Sequence, residues 1–306
     1  MKPMIVTLLF LCADLRAQEG GARFTGTANL VVLHLAVTDG RGSYVTGLGR
    51  DAFSVREEGR AQQVSFFTSD DVPVTAGLLI DNSSSMATLR DLAVEGGAAY
   101  VKASRPGDEV FALTFTEVVR PVLPRETPFT GDPAVMRAAL DAALRARGRT
   151  ALFDAILSGL EYGARGTHRR KVLVLTSDGG DNASAATMAD VLARTQASNV
   201  TIYTVTLVDP VARDGNPRLL KDLAQSTGGR SFRPRDATGT ADALRQIAAD
   251  VHHAYTLGYV PLRPPDGTFR RVQVTATSPR GQRLDVRTRT GYLAALPQRA
   301  ESRHVR

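Results

Sequence analysis

Between residues 72 and 253 the chain alternates two hydrophobic periods, and few folds accept that pattern. Residues 72–80, 110–115, 171–176 and 200–208 are apolar runs rich in β-branched and large aliphatic side chains, and 118–123 is a shorter one. Residues 86–104 separate the first two runs and carry Met86, Leu89, Leu92 and Val101 at helical spacing. Residues 132–147 open with Asp132-Pro133, and proline is favoured at the first helical position. Residues 151–164 place Leu152, Ile156, Leu157 and Leu160 on one face, and 184–197, 217–226 and 238–253 continue the helical pattern. Gly228-Gly229 stops the helix over 217–226. Strands that are apolar throughout, separated by helices, predict an α/β domain over 72–250: a doubly wound, mainly parallel sheet covered on both faces.

The flanks lack any helical period. Residues 28–70 form an N-terminal β-rich segment with an apolar run at 30–37, turns at Asp39-Gly40 and Glu58-Gly59, and strands near 53–56 and 64–67. Residues 254–292 hold three alternating runs, broken at Pro264-Pro265-Asp266-Gly267 and Ser278-Pro279-Arg280-Gly281. Three strands on each side are thin for two independent domains. Because the ends of a domain lie close together, the two flanks are expected to pair as one β-sandwich-like module. Residues 297–306 are polar and read as a flexible tail.

The N-terminus predicts export. Lys2 precedes an uncharged apolar run over 3–13, then polar residues to Arg16 and the small Ala17. This is the pattern of a signal peptide over 1–17, and the run is too short to span a bilayer. Cleavage after Ala13 is a second choice, because Leu15 is a poor −3 residue. Cys12 follows the bulky Leu11, so it is not read as a lipid anchor. No later run approaches the twenty or so residues of a membrane helix, so no transmembrane helix is expected after signal removal. The chain's one cysteine lies in the leader, which excludes an internal disulfide framework and a cysteine zinc cluster.

The formal net charge of +7 comes mostly from scattered arginines: Arg145, Arg147 and Arg149; Arg169 and Arg170; Arg230, Arg233 and Arg235. Nucleic-acid binding needs a clustered stripe. These short runs beside loops read as a solvated rim, and with no Trp there is no aromatic stacking platform.

Ligands of an open parallel sheet sit at the carboxyl ends of its strands. Asp81-Asn82-Ser83-Ser84-Ser85 follows the first central run, Thr176-Ser177-Asp178-Gly179-Gly180-Asp181 follows the run at 171–176, and Gly148-Arg149-Thr150 precedes a helix. The three clusters are expected on one edge, with two carboxylates, three hydroxyls and neither His nor Cys. Oxygen-only donors suit a hard cation: Mg²⁺ first, then Mn²⁺ or Ca²⁺. Two Ser hydroxyls two residues apart can occupy adjacent corners of an octahedron. Neutral hydroxyls leave the ion short of electrons, so it can take an external Asp or Glu carboxylate.

The pattern Asp81-x-Ser83-x-Ser85 after an apolar strand, Thr150 in Gly-Arg-Thr-Ala-Leu-Phe-Asp, and Asp178 in Thr-Ser-Asp-Gly together resemble the von Willebrand factor type A domain at its metal-ion-dependent adhesion site. The resemblance implies that Ser83 and Ser85 bind the metal directly. It implies that Thr150 and Asp178 bind it directly or through water, and that Asp81 holds a water and orients the Ser hydroxyls. Ser177 stands where many members have Thr. The flanking segments, LAVTDGRGSYVTGLGRDAFSVREEGRAQQVSFF ahead and YTLGYVP behind, are similar to secreted bacterial VWFA-related proteins. The function implied is a metal-dependent adhesion or interaction module whose protein partner presents Asp or Glu, with Asn82, Ser84, Arg149 and Asp181 as its contact rim.

Alternatives remain. Ser84 or Ser85 alone could cap the helix near Met86, and a scaffold module could keep the loops without using a metal. A metal-dependent hydrolase would need more carboxylates or His. There is no Gly-x-Ser-x-Gly elbow, no His-Glu-x-x-His and no phosphate loop, so the chain is read as non-enzymatic. Asp154, one turn beyond Thr150, is read as structural rather than a ligand. His252-His253 is not read as a metal pair, because adjacent helical residues point apart.

Overall fold

The computed structural model describes residues 30–69, 71–208 and 215–296. The expected leader over 1–17 and tail over 297–306 lie outside the described residues. The elements, in order, are β1 (Val31–Thr38), β2 (Phe53–Glu57), β3 (Arg60–Gln62), β4 (Val64–Thr68), β5 (Val74–Asp81), α1 (Arg90–Ala103), β6 (Glu109–Phe115) and β7 (Val119–Pro121). They continue with α2 (Pro133–Ala143), α3 (Leu152–Gly163), β8 (Arg170–Ser177), α4 (Met188–Ala197), β9 (Thr201–Thr206), α5 (Pro217–Thr227) and β10 (Ser231–Phe232). The last are α6 (Ala237–His252), β11 (Ala254–Tyr259), β12 (Phe269–Thr277), β13 (Arg283–Arg287) and β14 (Gly291–Leu293).

The central six-stranded sheet has the order β10-β9-β8-β5-β6-β7, parallel except for the edge strand β7. Every residue of β5 is buried, as a strand covered on both faces requires. Val74, Ala76, Leu78 and Ile80 pack with Val94 and Val101 of α1, Met136 and Leu140 of α2, and Leu244 and Ile247 of α6. Leu79 points the other way, into Leu152 and Ile156 of α3, Val191 of α4 and Leu220 of α5. Each such Val, Leu, Ile or Met side chain, fully buried, is worth about 1.5–3 kcal/mol. The chain moves from β5 to β6 on one side and later places β8 on the other. The carboxyl ends of β5 and β8 therefore form the crevice where strand order reverses.

The flanks form a second sheet, and N- and C-terminal strands alternate within it. Its order is β3-β2-β12-β13-β1-β11-β4, with β14 paired to β12 and all pairs antiparallel. The expected sandwich of two sheets is instead one continuous sheet that rolls on itself. Phe53 of β2 and Phe67 of β4 lie near opposite ends of the strand order, yet their rings meet at 5.9 Å. Leu33, Leu35, Tyr255, Leu257 and Val272 fill the roll. Glu57 is buried inside, accepting hydrogen bonds from Tyr259 and Tyr292 at 2.8 Å each and pairing with Arg270 at 3.3 Å.

This roll sits at the amino-terminal edge of the parallel sheet. Asp250, fully buried on α6, accepts hydrogen bonds from Tyr44 and, at 2.5 Å, from Arg287 of β13. His252 lies between Asp71 (2.8 Å) and Asp108 (2.9 Å), and His253 stacks on Tyr44. Arg289 donates to the carbonyls of Gln196 and Ser198 where α4 ends. The two histidines thus serve the joint between the sheets. No helix among the described residues is long and apolar enough to cross a membrane.

Two helices differ from the sequence pattern for identifiable reasons. The helix expected to reach residue 147 stops at Ala143, because the N–H groups of Arg145 and Ala146 turn to the Asn82 side chain, at 2.7 and 2.6 Å. The helix expected from 184 begins at Met188, behind a capping box of Thr187 and Asp190. The Ala185 and Ala186 N–H groups go to Asp154 instead, which makes Asp154 a structural acceptor.

Candidate functional site

The carboxyl ends of β5 and β8 bring Asp81, Ser83, Ser85, Thr150 and Asp178 to one edge, on three loops bonded to one another. Asp81 ends β5. Its Oδ1 accepts the Ser83 N–H at 2.9 Å and its Oδ2 accepts the Ser177 hydroxyl at 2.6 Å. Ser83 Oγ and Ser85 Oγ stand 3.1 Å apart. Asp81, Ser83, Thr150 and Asp178 are all buried. Burial, reinforced by the charge of Asp178, pushes the Asp81 carboxyl up to about 6, against the downward pull of the Ser177 and Ser83 hydrogen bonds.

The serine loop continues into a 3-10 turn over Ser84–Leu89, and α1 starts only at Arg90. Ser83 precedes that turn without a side-chain capping bond. The hydroxyls of Ser83 and Ser85 are therefore not spent on a helix N-terminus. The Thr150 hydroxyl likewise makes no hydrogen bond among the described residues, although its backbone is held at both polar groups. Its N–H donates to Asn182 Oδ1 at 2.9 Å, and its carbonyl accepts the Asn182 and Ala183 N–H groups.

The Asp178 loop is shaped by Gly179, whose φ of +90° is left-handed, and whose Cβ, if present, would lie 2.5 Å from the Asn216 carbonyl. Asp178 Oδ1 accepts the Gly180 N–H at 2.8 Å, and the Asp178 carbonyl accepts the Asn216 N–H at 3.0 Å.

The four rim residues divide. Asn82 is buried and clamps the loop after α2. Ser84 is exposed but exchanges hydrogen bonds with Gly148 across the cleft at 3.0–3.1 Å. Asp181 Oδ1 accepts the Leu152 and Phe153 N–H groups and the Ser184 hydroxyl, satisfying the N-terminus of α3. Arg149 is exposed. Its N–H is held by Glu117 at 2.7 Å, while its guanidinium makes no hydrogen bond or ion pair among the described residues. Sequence reasoning missed Ser177 as the hydroxyl that orients Asp81, and Glu117 and Asn182 as the groups that fix the Thr150 loop. Glu117 and Asn182 are polar residues in turn-like segments, which was their only available signal, whereas Ser177, the last residue of β8, stood in the strand-end cluster without an assigned role.

Among the described residues no three His, Cys, Asp or Glu side chains cluster as a metal site. The donor set here is two carboxylates with three hydroxyls, a pattern that suits a hard cation that keeps water.

The match to known proteins covers the same region. The model of the von Willebrand factor type A domain matches residues 77–247. No curated protein sequence matches the chain. Among solved structures, a von Willebrand factor type A protein from Catenulispora acidiphila superposes with a TM-score of 0.52 at 15% identity, covering 86% of this chain and 72% of that one. The vWF domain of a type V pili tip protein from Porphyromonas gingivalis aligns with a TM-score of 0.46 at 15% identity, over 60% of this chain and 96% of that one. With its matched span taking in more than half of the 306 residues, this chain belongs to the von Willebrand factor type A domain family.

Proposed function

We propose that the chain is an exported protein-binding module that takes a divalent cation, Mg²⁺ before Mn²⁺ or Ca²⁺, at the edge formed by β5 and β8. Ser83, Ser85 and Thr150 would hold it with Asp178, and Asp81 would orient the serines and accept from bound water. Bound there, the cation supplies a coordination position for an Asp or Glu carboxylate of a partner protein. The observation that carries this reading is the state of the hydroxyls. Ser83, Ser85 and Thr150 stand at one edge beside two buried carboxylates, and none is used as a helix cap. Burying Asp81 and Asp178 together without a cation is electrostatically unfavourable, as the raised Asp81 carboxyl reflects. Arg149 is the rim residue with a free guanidinium, suited to a bidentate grip on the same acidic side chain.

A scaffold reading draws on one observation: Asp81 already accepts two hydrogen bonds from within the chain. Isothermal titration separates the two. Mg²⁺ and Mn²⁺ are titrated into the purified, metal-stripped protein and into Asp81→Ala with Ser83→Ala. Binding to the wild type alone, with capture of acidic peptides lost in chelator, is the expected result. Absence of cation binding in both proteins, even with acidic peptide present, refutes the metal reading and leaves the scaffold.

A further inference from the structure

The arginines that look scattered in sequence gather in one place. A groove of about 850 Å³ runs between α5 and β10 and is lined by Arg218, Lys221, Arg230, Arg233 and Arg287, with Asp222 as its one acidic wall residue. Arg218 is 91% exposed at its side chain and only loosely paired with Asp222, at 3.9 Å. Lys221 and Arg233 are exposed and have no ion-pair partner among the described residues. Arg230 lies over the Phe232 ring and reaches Asp250 at 4.0 Å, and Arg287 pairs with Asp250 at the far end. The near end of the groove adjoins the candidate site. Pro217 and Thr206 line it, Thr206 pairs with Ser177, and Asn216, which caps α5, donates its N–H to the Asp178 carbonyl.

We propose that this groove receives an acidic, extended peptide segment of the partner whose first carboxylate completes the metal site. The inference rests on the metal-dependent reading above and names the kind of partner that fits it. From the level of Thr206 to that of Gly229, which abuts Ile202, the groove follows β9 for four residue steps, roughly 13 Å at strand rise. An extended peptide presents alternate side chains to one face about every 7 Å. Thr206 lies one strand from Ser177 and two from Asp81, so the peptide has one carboxylate at the metal and its further carboxylates, two residues apart, run along the basic wall beyond Thr206. Phe232 is covered by Arg230, and the wall offers no free aromatic face for stacking bases. The charges line a concavity, which fits a chain and not a flat membrane surface.

The test uses the full chain and fluorescent decapeptides. One carries Asp at alternate positions, and the other has a single Asp with Asn at the remaining sites. Each is titrated with Mg²⁺ and with chelator, against the wild type and Arg218→Glu/Lys221→Glu/Arg233→Glu. With Mg²⁺, the multi-acid peptide is expected to bind the wild type about ten- to a hundredfold tighter than the single-acid peptide, and the triple variant should erase that advantage. Raising the salt to about 0.3 M should erase most of it too. An advantage that survives the triple variant, or no advantage at all, overturns the groove proposal. Tighter binding of a sulfated glycan or an oligonucleotide of equal charge overturns the assignment to a peptide. If the multi-acid peptide binds equally in chelator and is lost in the triple variant, the groove stands and the metal reading falls.

Discussion

Replacing Asp81 by Asn separates the cost of the site from its use. In the folded chain the Asp81 carboxyl is pushed from 3.8 up to about 6, chiefly by burial. A folded value above the unfolded one means the native state binds the extra proton. This group's contribution is therefore most favourable at low pH and is lost as pH rises from about 4 to about 6. By about pH 7 the separation is worth about 3 kcal/mol against folding in the metal-free protein. Asn has the same shape and no charge. Its amide oxygen can still accept the Ser83 N–H. Its NH₂ meets Ser177 Oγ, which can turn its own proton away, although that oxygen already accepts the Gly179 N–H. In chelator, urea unfolding should therefore find Asp81→Asn as stable as the wild type or up to about 3 kcal/mol more stable near pH 7, with the difference gone near pH 4. Mg²⁺ at about a hundred times its dissociation constant should raise the wild type by about 2.7 kcal/mol and leave the variant unmoved. If the variant is clearly less stable in chelator near pH 7, or the gap does not vary with pH, then Asp81 is a structural hydrogen-bond acceptor and the reasoning is wrong.

Three further outcomes follow from the loops and the joint. Asn82→Ala leaves the Arg145 and Ala146 N–H groups without their acceptor and should cost about 2–3 kcal/mol in urea unfolding; by freeing the 144–149 loop it should also weaken Mg²⁺ binding in titration calorimetry, although Asn82 is not a proposed ligand. Gly179→Ala forces a side chain into a left-handed φ and against the Asn216 carbonyl, so the melting temperature should fall by the equivalent of about 1–3 kcal/mol together with Mg²⁺ affinity. Asp250→Ala strips Tyr44 and Arg287 of a fully buried partner and should cost about 3–5 kcal/mol, with new proteolytic cuts near the joint but unchanged Mg²⁺ affinity, because Asp250 lies at the opposite edge.

The doubly wound core was legible because its strands are apolar throughout and its helices keep one face, so local pattern and tertiary burial agree. The flanking strands were legible as strands, and their mutual pairing followed from their small number. The roll was not, since meeting of Phe53 with Phe67 depends on sheet curvature that no local period encodes. At the candidate site, the sequence pattern puts Asp81, Ser83, Ser85 and Asp178 on strand-end loops and Thr150 just before a helix, and the structure brings those loops to one edge. It could not say which Asx or Ser residues would be consumed in holding the loops. Asn82, Asp181 and Asn182 are all ordinary turn residues, and only the neighbouring N–H groups decide that each is a clamp.

The two edges of the parallel sheet obey different physics. At the amino-terminal edge the flanking roll supplies partners for groups that would be costly to bury alone: Arg287 for Asp250, Arg289 for the last carbonyls of α4, Tyr44 for the face of His253. Removing the roll would leave those groups unmet, so it is part of the domain's folding unit and not an appended bead. Its β11 joins α6 directly, and β4 leads into β5 at the same edge. The roll therefore covers that end and leaves the opposite one open. There the balance reverses. Ser83 and Ser85 have little beyond each other, the Thr150 hydroxyl makes no hydrogen bond among the described residues, and in the metal-free protein a buried carboxylate is held at a cost of about 3 kcal/mol near neutral pH. Locally unfavourable groups persist when the surroundings hold them in place, and they concentrate where something is to be bound. On this view the stability supplied at the closed edge is what allows the open edge to keep its unmet groups, and a cation with an acidic partner is the species that would satisfy them together.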